Sequence, residues 1–258
     1  MKYSQRPKYE RRNETIAVLV MILLCIPVLF IYFSFFANAF ILDSTGELTL
    51  QNFQFLYQPI QLSQYTVEPI GKAFRNTVIF TAIATTLEVT ISCMAGYALA
   101  RMEFTGKRVI SFSLLTLRLF PGVLLLIGVL YVLLHLGILN TLTGVIVVAI
   151  ALRLPGSTFI IRNFFAGIPQ DIENSALVDG CNRLTAFFQV IIHMVKPGLA
   201  SISIFAFMSA WSNYLLFNVL IFNTKTPVLA TYLRVLSRND QMIADYGVFA
   251  AMAMVYML

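Results

Sequence analysis

Three carboxylates, Asp171, Glu173 and Asp179, crowd into the stretch QDIENSALVDGCNR, residues 170–183, of a chain that is otherwise almost all oil. Three further charges, Glu88, Arg118 and Arg153, stand inside long apolar runs. Clustered carboxylates suit acid–base or metal chemistry, whereas charges within apolar runs suit ion pairs between helices or a polar path for a solute. The first kind of chemistry finds no support. His135 reads as a helix-boundary residue, His193 has no partner at metal-ligand spacing, and neither H-E-x-x-H nor G-x-S-x-G occurs. The phosphate-cradling loop G-x-x-x-x-G-K-[ST] is missing too, so the chain reads as non-catalytic and needs a partner for any ATP-driven work. Cys25, Cys93 and Cys181 lack paired or metal-ligand spacing and read as small apolar fillers.

The elements that carry these groups follow from composition. Hydrophobic residues make up 59% of the chain and charged residues 12%, with a mean hydropathy of +0.80; soluble domains carry roughly 25% charged residues. A soluble fold of this length has no way to hide so much apolar surface, so the expected fold class is an all-α integral membrane protein. A membrane helix needs about 20 apolar residues to cross roughly 30 Å of hydrocarbon. Such runs occur at 16–36, 77–100, 109–136, 142–161 and 199–222. A sixth begins near Gly247 and reaches Leu258; at 1.5 Å per residue it covers only about 18 Å and is read as the truncated start of a sixth span. The basic N-terminus resembles a secretory leader, but the apolar run behind it exceeds the usual leader core of about 7–15 residues. Residues 16–36 are therefore an uncleaved first span.

Orientation is read from the basic residues. With the N-terminus inside, eleven cations face the cytoplasm: five before the first span, then Arg101, Lys107, Arg108, Arg162, Arg183 and Lys196. Five face outward: Lys72, Arg75, Lys225, Arg234 and Arg238. This is the positive-inside pattern, so the net charge of +6 reports topology and not nucleic-acid binding. The expected organisation is a cytoplasmic tail over 1–15 and a transmembrane region over 16–258. Within the latter, 37–72 and 223–246 are external loops and 163–197 is a cytoplasmic segment.

The carboxylate cluster falls in that cytoplasmic segment. Gly167 and Pro169 break the descending helix, and Asp171 and Glu173 then occupy a first helical turn, where negative charge is favoured. Ser175, Ala176 and Gly180 are small enough to let another surface approach, and Leu177, Leu184, Phe187 and Phe188 supply apolar contacts. Gly180 weakens a helix by about 1 kcal/mol, which places a turn between two short helices there. Two readings follow: a small-faced helix pair that docks on a partner, or an amphipathic helix lying on lipid.

The same stretch resembles the cytoplasmic signature of binding-protein-dependent ABC importer permeases, Glu-Ala-Ala-x3-Gly-x9-Ile-x-Leu-Pro. Aligned on Gly180, Asn174 stands at the signature Glu, Ser175 at the first Ala and Ala176 at the second. Val190 and Ile192 stand at the Ile and Leu positions, and His193 at the Pro. The segments IPQDIENSALVDG, KPGLASISIFAFMSAWSNYL, AGYALARMEFTGKR and LFPGVLLL resemble the carbohydrate subfamily represented by the smaller maltose permease subunit, and the similarity covers residues 70–250. The resemblance implies a type I importer bundle of six transmembrane helices in a bacterial inner membrane. Such a chain forms half of a path for a sugar or oligosaccharide, by alternating access with a second homologous permease. It also implies that residues 170–190 are a coupling helix on a cytoplasmic ATPase dimer, which holds ATP and Mg. Glu173, Asn174, Ser175, Ala176, Asp179 and Gly180 would lie at that contact, and an extracytoplasmic solute-binding protein would meet residues 223–246.

Within the bilayer, Arg118 and Arg153 fall near mid-depth, where an arginine costs about 2.5–3.5 kcal/mol on insertion scales, so each should face protein or water. Glu88 is the clear intramembrane acid and can balance only one of them. The remaining arginine suggests an anionic solute, such as an acidic sugar. Trp211, Asn213, Tyr214 and Asn218 cluster in the fifth run; aromatic and amide groups suit sugar rings, and equally suit packing between helices. The alternative function is a proton-coupled secondary transporter with Glu88 as relay.

Overall fold

Long apolar stretches with good helix formers should fold as helices, and the computed structural model, which describes residues 8–41, 46–62, 65–222, 226–237 and 246–257, is almost entirely helical. Its α-helices are α1 (Lys8–Ala39), α2 (Gly71–Arg101), α3 (Lys107–Leu119), α4 (Gly122–His135), α5 (Leu142–Ala166), α6 (Gln170–Val178), α7 (Arg183–Ala186), α8 (Ile192–Met194), α9 (Lys196–Trp211), α10 (Tyr214–Leu220), α11 (Leu229–Ser237) and α12 (Tyr246–Met257). A small antiparallel hairpin, β1 (Ile60–Leu62) with β2 (Tyr65–Val67), pairs Ile60 with Val67 inside the expected external loop 37–72. The chain divides into two compact units, residues 1–71 with 232–258, and residues 72–231.

In the first unit, α1 leaves residues 16–33 exposed along its length, the pattern of a helix whose solvent is lipid. α12 packs on α1. The C-terminal end of α1 is closed by Asn52, whose amide donates to the carbonyls of Ala39 (3.1 Å) and Ile41 (2.9 Å). Gly247 lies so close to the Asn52 side chain that a Cβ there would overlap it. Tyr232 donates its hydroxyl to Glu68 O (3.0 Å), and burial pushes its pKa up to about 12.

The second unit holds the candidate site. Its core is built by α2, α4, α5 and α10, with Phe80 edge-on to Phe217 at 4.6 Å. Residues 226–231 are stapled to the start of α2: Asn76 donates to Pro227 O (2.9 Å) and Leu229 N–H to Thr77 Oγ1 (2.9 Å). α2 meets α5 at Gly96, where a Cβ would stand 2.5 Å from the Ile161 side chain and 3.1 Å from Arg162 N. Gly96→Val is therefore expected to destabilise the protein by about 1–3 kcal/mol. Gly128→Ala, with open space around it, should cost nothing measurable; thermal unfolding in detergent separates the two.

Two expected spans are broken. The run 109–136 divides at Phe120–Pro121, because a residue preceding proline avoids helical backbone and Phe120 takes φ −77°, ψ 127°. The run 199–222 divides at Ser212–Asn213. There Ser212 turns its hydroxyl back to Met208 O (2.8 Å) and Asn213 caps the next helix by accepting from Leu216 N–H (3.3 Å). Among the described residues, only α1 from Ile16, α2 and α5 are single helices long and apolar enough to cross a membrane, and counting two bent pairs, α3 with α4 from Leu124 and Arg183–Met194 with α9, as one span each raises the number to five.

Candidate coupling segment and solute path

α5 ends at Ala166, Gly167 caps it, and Pro169 opens α6, so the break expected at Gly167 and Pro169 is where the chain turns. α6 closes in a Schellman motif. Cys181 N–H bonds to Ala176 O (3.0 Å), Gly180 N–H bonds to Leu177 O (3.1 Å), and Gly180 supplies the left-handed residue at φ +90°. Asn182 then caps α7 by accepting from Thr185 N–H (2.8 Å). A single π-helical turn, Phe187–Ile191, follows, and the chain bends by 78° between Arg183–Met194 and α9. His193, at the signature's proline position, lies within α8; the bend comes two residues later, at Val195 before Pro197.

This segment is braced from behind. Glu173 is 1% exposed. It accepts from the Tyr97 hydroxyl (2.8 Å), and its other oxygen lies 3.7 Å from Arg101 Nε, an ion pair with both side chains buried. Arg101, at the C-terminal end of α2, also donates to Phe165 O in the last turn of α5, to Ile168 O in the turn that follows, and to the Gln170 side chain that begins α6. One guanidinium thus joins three helix ends, and a cation at helix C-termini is favoured by the dipole. Tyr97, Phe165 and Phe187 form an aromatic cluster around it, with ring centroids 4.6–6.2 Å apart. Glu173, expected at the partner contact, is instead turned inward as an anchor, and Ala176 is buried beside it.

The outward surface carries Asn174, Ser175, Asp179 and Gly180, all exposed. Around them Val178 is 87% exposed, Leu184 70% and Phe188 57%. A Cβ added at Gly180 would meet nothing within 4 Å.

Within the apolar region, the expected pairing of Glu88 resolves onto Arg153. Arg153 Nε donates to Glu88 Oε2 at 2.9 Å, Ser157 donates to the other oxygen, and Arg153 Nη2 donates to Phe205 O at 3.0 Å. The group ties α2, α5 and α9 together and leaves Glu88 2% exposed. Arg118 is exposed, with Cζ 5.7 Å from the Phe159 ring centroid, and has no carboxylate at ion-pair distance among the described residues.

Two adjoining cavities share Gly122, Leu152 and Arg153. The larger, about 500 Å³, is lined by Ser209, Ser212, Asn213 and Tyr214 at the break in the fifth run. The smaller, about 340 Å³, is lined by Arg118, Arg153 and Ser157. Arg118, Arg153, Asn213 and Tyr214 are therefore brought together, while Asn218 lines neither cavity. Trp211 stacks on Phe207 (5.9 Å) and meets Phe74 edge-on (6.3 Å), a packing role. From the sequence Tyr97 has no assigned role and Arg101 only a place among the cytoplasmic cations, although both lie in AGYALARMEFTGKR; their signal is a tyrosine and an arginine one helical turn apart at a span's end.

Broken apolar helices, mostly apolar clefts with a few polar groups at the breaks and a braced helix pair between two spans together fit a membrane transport subunit. Residues 88–258 match the family described as binding-protein-dependent transport system inner membrane component, and the chain belongs to it. It is accordingly a multi-pass protein of the inner membrane. It is 32% identical over 244 residues to the diacetylchitobiose uptake system permease protein NgcG of Streptomyces coelicolor, covering 93% of this chain and 78% of that one. It is also 32% identical over 194 residues to the sulfoquinovosyl glycerol transport system permease protein SmoH of Agrobacterium fabrum, covering 74% and 67%. Its fold matches a chain of a bacterial ABC transporter involved in the import of the acidic polysaccharide alginate, with a TM-score of 0.78 at 18% identity over 98% of this chain and 94% of that one. A second structure, of the alginate transporter in complex with an alginate pentasaccharide-bound periplasmic protein, matches with a TM-score of 0.73 at 14% identity, over 96% and 91%.

Proposed function

We propose that this chain forms one half of the translocation path of an ATP-driven saccharide importer, beside a second homologous permease. Two relatives named for saccharide and sulfoquinovosyl glycerol uptake support the substrate class. The mechanical part of the reading rests on one observation: α6 and α7 offer solvent an apolar, small-residue face while the buried Tyr97–Glu173–Arg101 group ties them to α2 and α5. A face so exposed and so rigidly backed is suited to a groove on a cytoplasmic ATPase dimer, which would hold ATP and Mg. Asn174, Ser175, Val178, Asp179 and Gly180 make the contact, and Glu173 and Ala176 hold the helix in position. The N-terminus and 163–197 then lie in the cytoplasm. The loops at 37–72 and 223–246 face outside, where a solute-binding protein delivers its load. Nothing favours the proton-coupled reading, since Glu88 is engaged by Arg153 and Ser157.

Gly180 gives the test. A non-glycine residue at φ +90° is strained by roughly 1–2 kcal/mol, yet the surrounding space is open, so Gly180→Glu should still insert. Its uptake should fall at least tenfold, with ATP hydrolysis by the assembled complex no longer tied to solute. Normal import by Gly180→Glu would refute docking at this face. Vanadate should stop uptake and an uncoupler should not; the reverse would favour a proton-driven transporter.

A further inference from the structure

Among the described residues, the cavity at the α3–α4 break carries one positive charge that no carboxylate balances. Arg153 is neutralised by Glu88 at 2.9 Å. Arg118 has the Phe159 ring centroid 5.7 Å from Cζ, no carboxylate at ion-pair distance among the described residues, and Nε 3.9 Å from where a Cβ on Gly156 would stand. Arginine does not lose its proton in proteins. A third positive element enters the same space: Gly122, first residue of α4, lines both cavities, and no side chain caps that helix. The start of a helix carries about half a positive charge, and half-helix starts at breaks within transporters face anionic groups of the solute. The adjoining cavity contributes hydroxyl, amide and phenol groups from Ser209, Ser212, Asn213 and Tyr214, the partners a saccharide's hydroxyls need.

We infer that the solute is anionic, a saccharide bearing a carboxylate or another acidic group, and that Arg118 binds that group as it passes. The inference rests on the saccharide-import reading and adds the charge. Arg118 confers selectivity, Arg153 holds the wall of the path, and the two cavities divide the solute between an acidic end and a hydroxylated end.

The assembled importer, purified with its own subunits and binding protein, is reconstituted into phosphatidylcholine vesicles. It is offered a pooled mixture of neutral oligosaccharides and uronic-acid oligosaccharides, and mass spectrometry identifies what accumulates with ATP. Acidic saccharides are expected to accumulate. Arg118→Gln should lower their uptake about tenfold or more, the effect of losing a charged hydrogen bond, while Arg118→Lys retains most of it. Accumulation of neutral saccharides alone, unaffected by Arg118→Gln, overturns the anion site and leaves the saccharide reading standing. An accumulated acid that is not a saccharide, and is sensitive to Arg118→Gln, overturns the saccharide reading and leaves the site standing. Failure of both Arg118→Gln and Arg118→Lys to co-purify with the other subunits overturns the proposal, since the side chain then serves assembly. A requirement for phosphatidylglycerol, with no preference among solutes, overturns it in favour of a lipid headgroup.

Discussion

Arg101→Ala is expected to destabilise the protein by about 3–5 kcal/mol and, where the chain stays folded, to leave ATP hydrolysis running without uptake. The magnitude follows from what the substitution strands. The Arg101 side chain is buried, pairs with buried Glu173, and donates to one carbonyl in the last turn of α5 and one in the turn after it. Removing one member of a buried pair leaves an uncompensated charge, which costs about 3–5 kcal/mol, whereas replacing both members with apolar groups is often neutral. Arg101→Met with Glu173→Leu should therefore recover most of the lost stability. Tyr97→Phe removes a single donor to Glu173 and should cost roughly 1–3 kcal/mol.

The uptake arm follows from geometry. Arg101 is bonded to the end of α5 and the start of α6 and paired with Glu173 within α6, so a push on the exposed face reaches two long helices through one side chain. A role confined to stability predicts that the double replacement restores uptake along with the melting temperature. The mechanical role predicts that stability returns and uptake does not. Thermal unfolding, ATPase rate and solute accumulation on the same preparations decide. Wild-type stability in Arg101→Ala would refute the brace.

What composition and hydropathy could deliver was the membrane class and the approximate placement of the apolar runs, because burial in lipid needs only length and oiliness. The turn at Gly167–Pro169 and the glycine turn at Gly180 were legible for a similar reason: backbone constraint is local, and Gly180 at φ +90° fits that expectation. The breaks at Pro121 and Asn213 do not follow from hydropathy, although Pro121 is in plain view. An apolar run hides a break whose freed backbone groups are satisfied by neighbours or a cavity. Glu173 shows the deeper limit. Its neighbours in sequence made it resemble an outward contact residue, but helix rotation decides which side of α6 meets Tyr97 and Arg101, some seventy residues earlier in the chain. The pairing of Glu88 with Arg153 was open for the same reason: charge counting sets how many arginines are balanced, and only packing sets which.

Glu88→Ala is expected to remove most of the inserted protein, and Arg153→Leu added to it to bring the protein back. With Glu88 gone, Arg153 keeps one backbone acceptor, Phe205 O, in surroundings lined by Leu152, Ile160 and Phe205. An unbalanced arginine at that depth costs about 2.5–3.5 kcal/mol on insertion scales, and loss of a buried partner about 3–5 kcal/mol. Glu88→Gln retains the shape but keeps a single acceptor oxygen, which can serve Arg153 while its amide nitrogen donates to the Ser157 hydroxyl oxygen, so it should be intermediate. The amount of chain in washed membranes and its melting temperature in detergent read the series. Equal abundance of Glu88→Ala and wild type would mean that the pair contributes nothing to the bundle. The double variant also separates the two arginines. It removes one positive and one negative charge and keeps Arg118, so whatever acidic solute it carries should remain sensitive to Arg118→Gln. Loss of acidic-solute uptake in the double variant, with Arg118 intact and the protein folded, would place the solute's acidic group on Arg153, and Glu88 would then be a tether released during transport.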